Sequence, residues 1–191
     1  MKIENLKLKI KSGFTMIEIL IVIAVLGILA VAVLSAINPI EQINRSKDTG
    51  LRSDAEQLIS ATDRFYATTG YYPWRSSPDD TNQYAVNTMT NMRATSGTGN
   101  DILTRLSNST SELKSAFVSR ITATGYNTLW LYNRGTQGDS TYVCFVPQSG
   151  AFQTEAVDRC NGTKGSIPAD LSPANSVICP GQAANTYSCL P

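Results

Sequence analysis

Hydrophobic and polar positions divide the chain into a polar leader, an unbroken apolar run, an amphipathic stretch and a mixed remainder. Between Phe14 and Ile37 the single ionisable side chain is Glu18. At ~1.5 Å per residue, a helix over that run is long enough to cross a hydrocarbon core of ~30 Å, and the pattern predicts a membrane-spanning helix. A carboxylate near the start of such a helix costs on the order of 2 to 3 kcal/mol in lipid, so it must be neutralised, lie at the interface or meet a cation. Ahead of the run, residues 1–13 carry Lys2, Lys7, Lys9 and Lys11 against Glu4. Lysines flanking an apolar span stay cytoplasmic, which predicts the N-terminus inside and the rest of the chain outside.

Residues 40–69 turn amphipathic. Leu51, Ala55, Leu58, Thr62 and Phe65 recur at helical spacing, with Arg52, Asp54, Glu56, Asp63 and Arg64 on the remaining surface. Joined to the apolar run, this segment predicts one helix of about 80 Å. Pro39 removes a backbone donor and crowds the preceding turn, so a kink is expected there, and Gly27 lowers helix propensity inside the span. Glu41 with Arg45 and Asp48 with Arg52 are four apart and can pair along the helix. Gly70 supplies the stop and Tyr71-Tyr72-Pro73 prevents continuation.

Beyond the helix, residues 76–100 are rich in Ser, Thr, Asn, Asp and Gly and predict a long loop. Asp79, Asp80 and Asn82 lack the spacing and closing Glu of a calcium loop. Ser109 and Glu112 match a capping box that opens a short helix over 109–121, with Leu113, Phe117 and Ile121 on one face. Residues 128–132 and 141–146 are β-branched and aromatic with Gly135 and Gly138 between them, which predicts a hairpin. A third short strand is expected over 151–154, then a helical or irregular piece to Cys160. The fold class is therefore α+β: a long N-terminal helix packed against a small antiparallel sheet that covers its amphipathic half. Trp130 reads as core and Trp74, beside Pro73, as the exposed tryptophan.

Charge and composition narrow the chemistry. The formal net charge is +1, and because the leader's four lysines and one glutamate contribute +3, residues after Gly13 carry −2. No basic field remains to suggest nucleic acid. The chain contains no His, which excludes Ser-His and His-metal enzymes. Cys144, Cys160, Cys179 and Cys189 contain no C-x-x-C pair, so disulfides in an oxidising compartment are expected instead of zinc. Three connectivities are open; short loops favour Cys144 with Cys160 and Cys179 with Cys189. From residue 161 onward Gly, Pro, Ser and Ala prevail, and a cross-link is needed to order such a tail.

The sequence Gly13-Phe14-Thr15-Met16-Ile17-Glu18, following a basic leader and opening an apolar run, resembles the cleavage and methylation signature of type IV prepilins. Thr69-Gly70-Tyr71-Tyr72-Pro73 is similar to the end of the first helix in many pilins and pseudopilins. The resemblance implies a cut after Gly13 by a membrane peptidase that also methylates the new amine of Phe14, and pairing of Glu18 with that amine on a neighbouring subunit. It implies four parts: a cleaved leader over 1–13, a membrane and filament-core half-helix over 14–38, an amphipathic half-helix over 39–70 and a disulfide-bonded head over 71–191. Gly27 and Pro39 are the helix-loosening positions, although the proline falls later than in the usual pattern.

The implied function is that of a structural subunit of a type IV pilus-like filament. A pseudopilin of a type II secretion or DNA-uptake system is the alternative, and a membrane-anchored extracytoplasmic enzyme or binding module the remote one. Expected partners are further copies of the chain, other pilins, the prepilin peptidase, an inner-membrane assembly platform and a cytoplasmic assembly ATPase. No cofactor and no catalytic residue is expected. An ordinary secretory signal with Ala30-Val31-Ala32 as its cleavage site competes with this reading. A disposable signal has no use for a carboxylate at Glu18, and the apolar run continues past that site.

Overall fold

The computed structural model describes residues 13–79, 86, 88–94, 97–136, 138–181 and 185–191. The chain divides into two compact units after Ile40. In the first, helix α1 (Met16–Ala36) buries none of its residues. It ends at Ile37, whose extended backbone (φ −102°, ψ 131°) closes the helix, and a second helix, α2 (Pro39–Thr69), follows. The apolar helix thus continues into a second helix, with the interruption at the position where the kink at Pro39 is expected. The residue before a proline is pushed out of the helical region, and Pro39 itself fits the first helical position, where no N–H is needed.

The second unit is built on α2. Its stripe Leu51, Ala55, Leu58, Thr62 and Phe65 is buried, together with Ile59 and Ala61. After Gly70 (φ 80°) comes β1 (Thr90–Asn91), then α3 (Thr98–Thr104), which runs directly into a π-helical turn, Arg105–Ser109. Helix α4 (Ser115–Ile121) leads to β2 (Trp130–Tyr132) and β3 (Tyr142–Phe145). Helix α5 (Gly150–Cys160), a 3₁₀ turn (Ser172–Ala174), α6 (Asn175–Ile178) and β4 (Ser188–Leu190) complete the order. The four strands form one antiparallel sheet in sequence order, with Leu131 opposite Val143 and Val143 opposite Leu190.

Both faces of the sheet are covered. Leu131, Val143, Phe145 and Leu190 join the α2 stripe and Ile102, Leu106, Phe117 and Ile121 in one core. Tyr132, Tyr142 and Cys144 pack on the opposite face with Leu171, Ala174 and Ile178 from the tail. This explains why β3 is buried at all four positions: alternation is lost when neither face meets water. Each fully buried Leu or Phe here contributes roughly 1.5 to 3 kcal/mol.

Several sequence expectations change in three dimensions. The stretch 151–154 is helical, inside α5, because two carboxylates on α2 satisfy the amides at its start. Asp48 accepts from Gln148 N at 2.9 Å and from Ser149 N at 2.7 Å, while Glu41 accepts from Gly150 N at 3.1 Å. Positions 41 and 48 are two turns apart, so both reach the same helix end, where anions are favoured. Asp48 is thus occupied by α5 and not by Arg52, whose guanidinium lies 3.9 Å from Glu155. Glu41 does approach Arg45, at 3.9 Å. Asp54, expected on the solvated surface, is buried between Arg120, at 2.6 Å, and the Tyr126 hydroxyl.

The Ser109–Glu112 box does not form. Helix α4 begins at Ser115 after Lys114, and Glu112 instead takes Arg64 of α2 at 2.6 Å. The disulfides join Cys144 to Cys189 and Cys160 to Cys179, overturning the pairing favoured by short loops. Strand register decides it: β4 pairs with β3 so that Cys189 stands directly opposite Cys144. Trp130 is half-buried and edge-on to Tyr187, and Trp74 is half-buried against the α2 core. The leader lysines, Asp80 and Asn82 lie outside the described residues.

Candidate functional site

The N-terminal junction is assembled from four residues. Gly13 and Phe14 precede α1 in non-helical backbone, and both are exposed, Phe14 at 78 %. Thr15 is the N-cap residue, extended at φ −77° and ψ 151°. Its Oγ1 accepts from Glu18 N at 3.3 Å, and its own N–H donates to Glu18 Oε2 at 3.4 Å. This is a reciprocal capping box, which satisfies orphan amides of the first turn and sets a carboxylate at the positive end of the helix.

The arrangement has two chemical consequences. The Gly13–Phe14 peptide bond lies outside the helix, with open space beside the Gly13 Cα. Glu18 spends Oε2 on a neutral amide of its own chain, and Oε1 takes no hydrogen bond among the described residues. One acceptor is therefore left for a cation from elsewhere.

The other site residues lie apart from this junction. Gly27 sits inside the unbroken α1 with open space beside it, and Pro39 opens α2. The four cysteines belong to the second unit. Sequence reading singled out Gly13, Phe14 and Glu18 but passed over Thr15. The signal was present, since Thr15-x-x-Glu18 is the same capping-box pattern that was assigned to Ser109 and Glu112. A box forms only where helix follows, and the apolar run guarantees that at Thr15.

Within the second unit the electrostatics are those of a fastened scaffold. Burial pushes the Tyr142 phenol up to about 12, helped by its hydrogen bond to Asp170. Burial opposes ionisation of Asp170, yet hydrogen bonds from Ser140 N at 3.0 Å and Tyr142 Oη at 2.7 Å hold its carboxyl below the usual carboxylate range. Among the described residues no group of three or more His, Cys, Asp or Glu side chains converges on a metal position.

Of the described helices, Met16–Ala36 is the one long and apolar enough to cross a membrane, at 21 residues or about 32 Å. No curated protein and no solved structure matches the chain. The family model described as "Prokaryotic N-terminal methylation motif" matches residues 8–34, a span that contains the Gly13–Phe14 junction, the Thr15–Glu18 cap and most of α1. The chain thus carries the prepilin-type signature, which supports a type IV pilin-like or pseudopilin-like protein anchored by a single apolar helix.

Proposed function

We propose that this chain is a structural subunit of a type IV pilus-like filament, held in the membrane after removal of residues 1–13 and polymerised through α1. The observation that carries the reading is the exposure of every residue of an apolar 21-residue helix whose one ionisable side chain is Glu18. An all-round apolar helix has no solvent-facing side, so it requires lipid or other helices. Exchange of lipid for neighbouring subunits keeps that surface out of water and drives assembly by packing. Repetition of one head-to-tail contact without closure yields a fibre.

In this scheme cleavage after Gly13 creates an amine on Phe14, and the spare Oε1 of Glu18 receives the amine of an adjacent subunit. Pairing removes the cost of two unpaired charges in an apolar core. The head stays outside and forms the fibre surface. The test is filament yield by sedimentation, read beside membrane levels of monomer, for Glu18→Ala and Glu18→Gln. Glu18→Ala accumulates in the membrane as processed monomer and gives few or no filaments. Undiminished filaments from that variant would overturn the proposal.

A further inference from the structure

The segment 112–121, which contains α4, runs antiparallel to α2 along one of its edges and is fastened there by two ion pairs. Arg64 takes Glu112 at 2.6 Å, and nearer the start of α2 Asp54 takes Arg120 at 2.6 Å. In both pairs the carboxylate is the inner member. Glu112 and Asp54 are 17 % and 10 % exposed, against 51 % for Arg64 and 56 % for Arg120. Lys114 is exposed as well, and it borders one groove with Gln57 and Arg120. This edge therefore shows positive charge to solvent, although its ion pairs are formally neutral.

The other edge of α2 is acidic. Glu56 and Asp63 are exposed, stand two turns or about 10 Å apart, and form no ion pair among the described residues. Arg52 and Arg64, the nearest cations along the helix, are turned to Glu155 and Glu112. Gly50, Ser53, Gln57 and Ser60, all exposed and uncharged, lie between the two edges at 3.6 residues per turn. Because Glu112 is level with Arg64 and Arg120 with Asp54, Lys114 stands near the height of Asp63 and Arg120 near that of Glu56.

We propose that these two edges meet between copies of this chain, Asp63 and Glu56 of one copy pairing with Lys114 and Arg120 of the next. Neighbours anchored alike in one membrane carry α2 in the same direction, and the matched heights then let both pairs form with little axial offset. The contact rests on the filament reading for that common direction and adds to it which head surfaces meet. It joins unlike edges, so each copy keeps one free edge for a further copy. A single exposed ion pair contributes little, but complementary edges attract in one register while like edges repel, which selects how neighbours dock. An acidic polymer or an unrelated acidic protein would engage the basic edge alone and leave Glu56 and Asp63 without a role.

The experiment compares the full chain with Asp63→Lys, with Lys114→Glu and with both changes together. Filament yield is measured on cells, and a mixture of isotopically light and heavy protein in liposomes is treated with a carbodiimide. The reagent activates a carboxylate, the Lys114 amine attacks it, and the reagent leaves as its urea, so that one amide bond joins two copies. A light–heavy peptide linking Asp63 or Glu56 to Lys114 is the expected product, and its yield falls at about 1 M salt, where charges are screened within ~3 Å. Either single reversal lowers filament yield roughly tenfold or more, since like charges then face each other, and the double variant recovers it. Both side chains are exposed, and thermal unfolding checks that each variant keeps its head intact. Cross-linking in liposomes needs no assembly machinery, so cross-links without filaments in cells would sink the filament reading and leave this contact standing. Absence of the light–heavy product, undiminished filaments from either single variant, or no recovery in the double variant would overturn the contact.

Discussion

Asp48 receives both the amide and the hydroxyl of Ser149, at 2.7 and 2.6 Å, from a residue 101 positions further along the chain. The carboxylate is fully buried and lies where α5 needs an acceptor for its first amides. A side chain from one helix thus caps another, and Ser149 makes no cap of its own.

Removal of that carboxylate leaves buried donors unsatisfied. Asp48→Ala is expected to destabilise the head by about 3 kcal/mol, in the range of a lost hydrogen bond to a buried charge. Glu41→Gln, at a side chain one-third exposed, costs under about 1 kcal/mol. Denaturant unfolding of the two variants beside the parent protein checks the order, and equal losses would show that Asp48 is not the acceptor that matters.

Processing is expected after Gly13, giving a mature chain that begins at N-methylated Phe14. Mass spectrometry of the terminus reads this, and a terminus after Ala32 would count against it. Gly13→Val is expected to retain the leader. Thr15→Ala is still cleaved but loses half of the capping box. Faster amide exchange in the first turn of α1 is the expected consequence, at a cost of about 0.5 to 2 kcal/mol.

Peptide mapping without reduction should recover Cys144 linked to Cys189 and Cys160 linked to Cys179. Each cross-link contributes on the order of 2 to 4 kcal/mol. The 144–189 bond closes a loop of 45 residues against 19 for the other, so its removal by paired Cys→Ala changes should lower the unfolding midpoint further. A fragment joining Cys144 to Cys160 would contradict the strand register described above.

The pH dependence of the head follows from Tyr142 and Asp170. The phenol is raised from its ordinary value of 10.0 to about 12, so its contribution is complete below pH 10 and is lost as pH rises towards 12. The Asp170 carboxyl is lowered, so its contribution is present above the ordinary carboxylate range and is lost as pH falls below it. Unfolding measured across both limbs should show both losses, and Tyr142→Phe should flatten the alkaline one. An unchanged alkaline limb in that variant would assign the loss elsewhere, Tyr126 being the other raised phenol in contact with a carboxylate.

Local patterns were readable along the chain wherever a single element owned its environment. The apolar run needs no partner within the molecule to be helical, and its lone Glu18 and preceding Gly13–Phe14 are adjacent in sequence; α1 and its junction were therefore legible without coordinates. The α2 stripe and the hairpin of β2 and β3 were legible for the same reason, since periodicity of 3.6 or 2 reports which face is buried. Tertiary structure decided what depends on distant residues. Residues 151–154 look like strand until Asp48 and Glu41 arrive to cap a helix there. Glu112 looks like part of a box until Arg64 takes it. Cys189 pairs with Cys144 only because β4 lies beside β3, and short chain distance between cysteines says nothing of that. The cleft lined by Tyr66, Tyr72, Trp74 and Arg75 gains its second wall from Asn133, Gly135, Thr136, Gly138 and Asp139, which are distant in sequence and meet the end of α2 only in three dimensions.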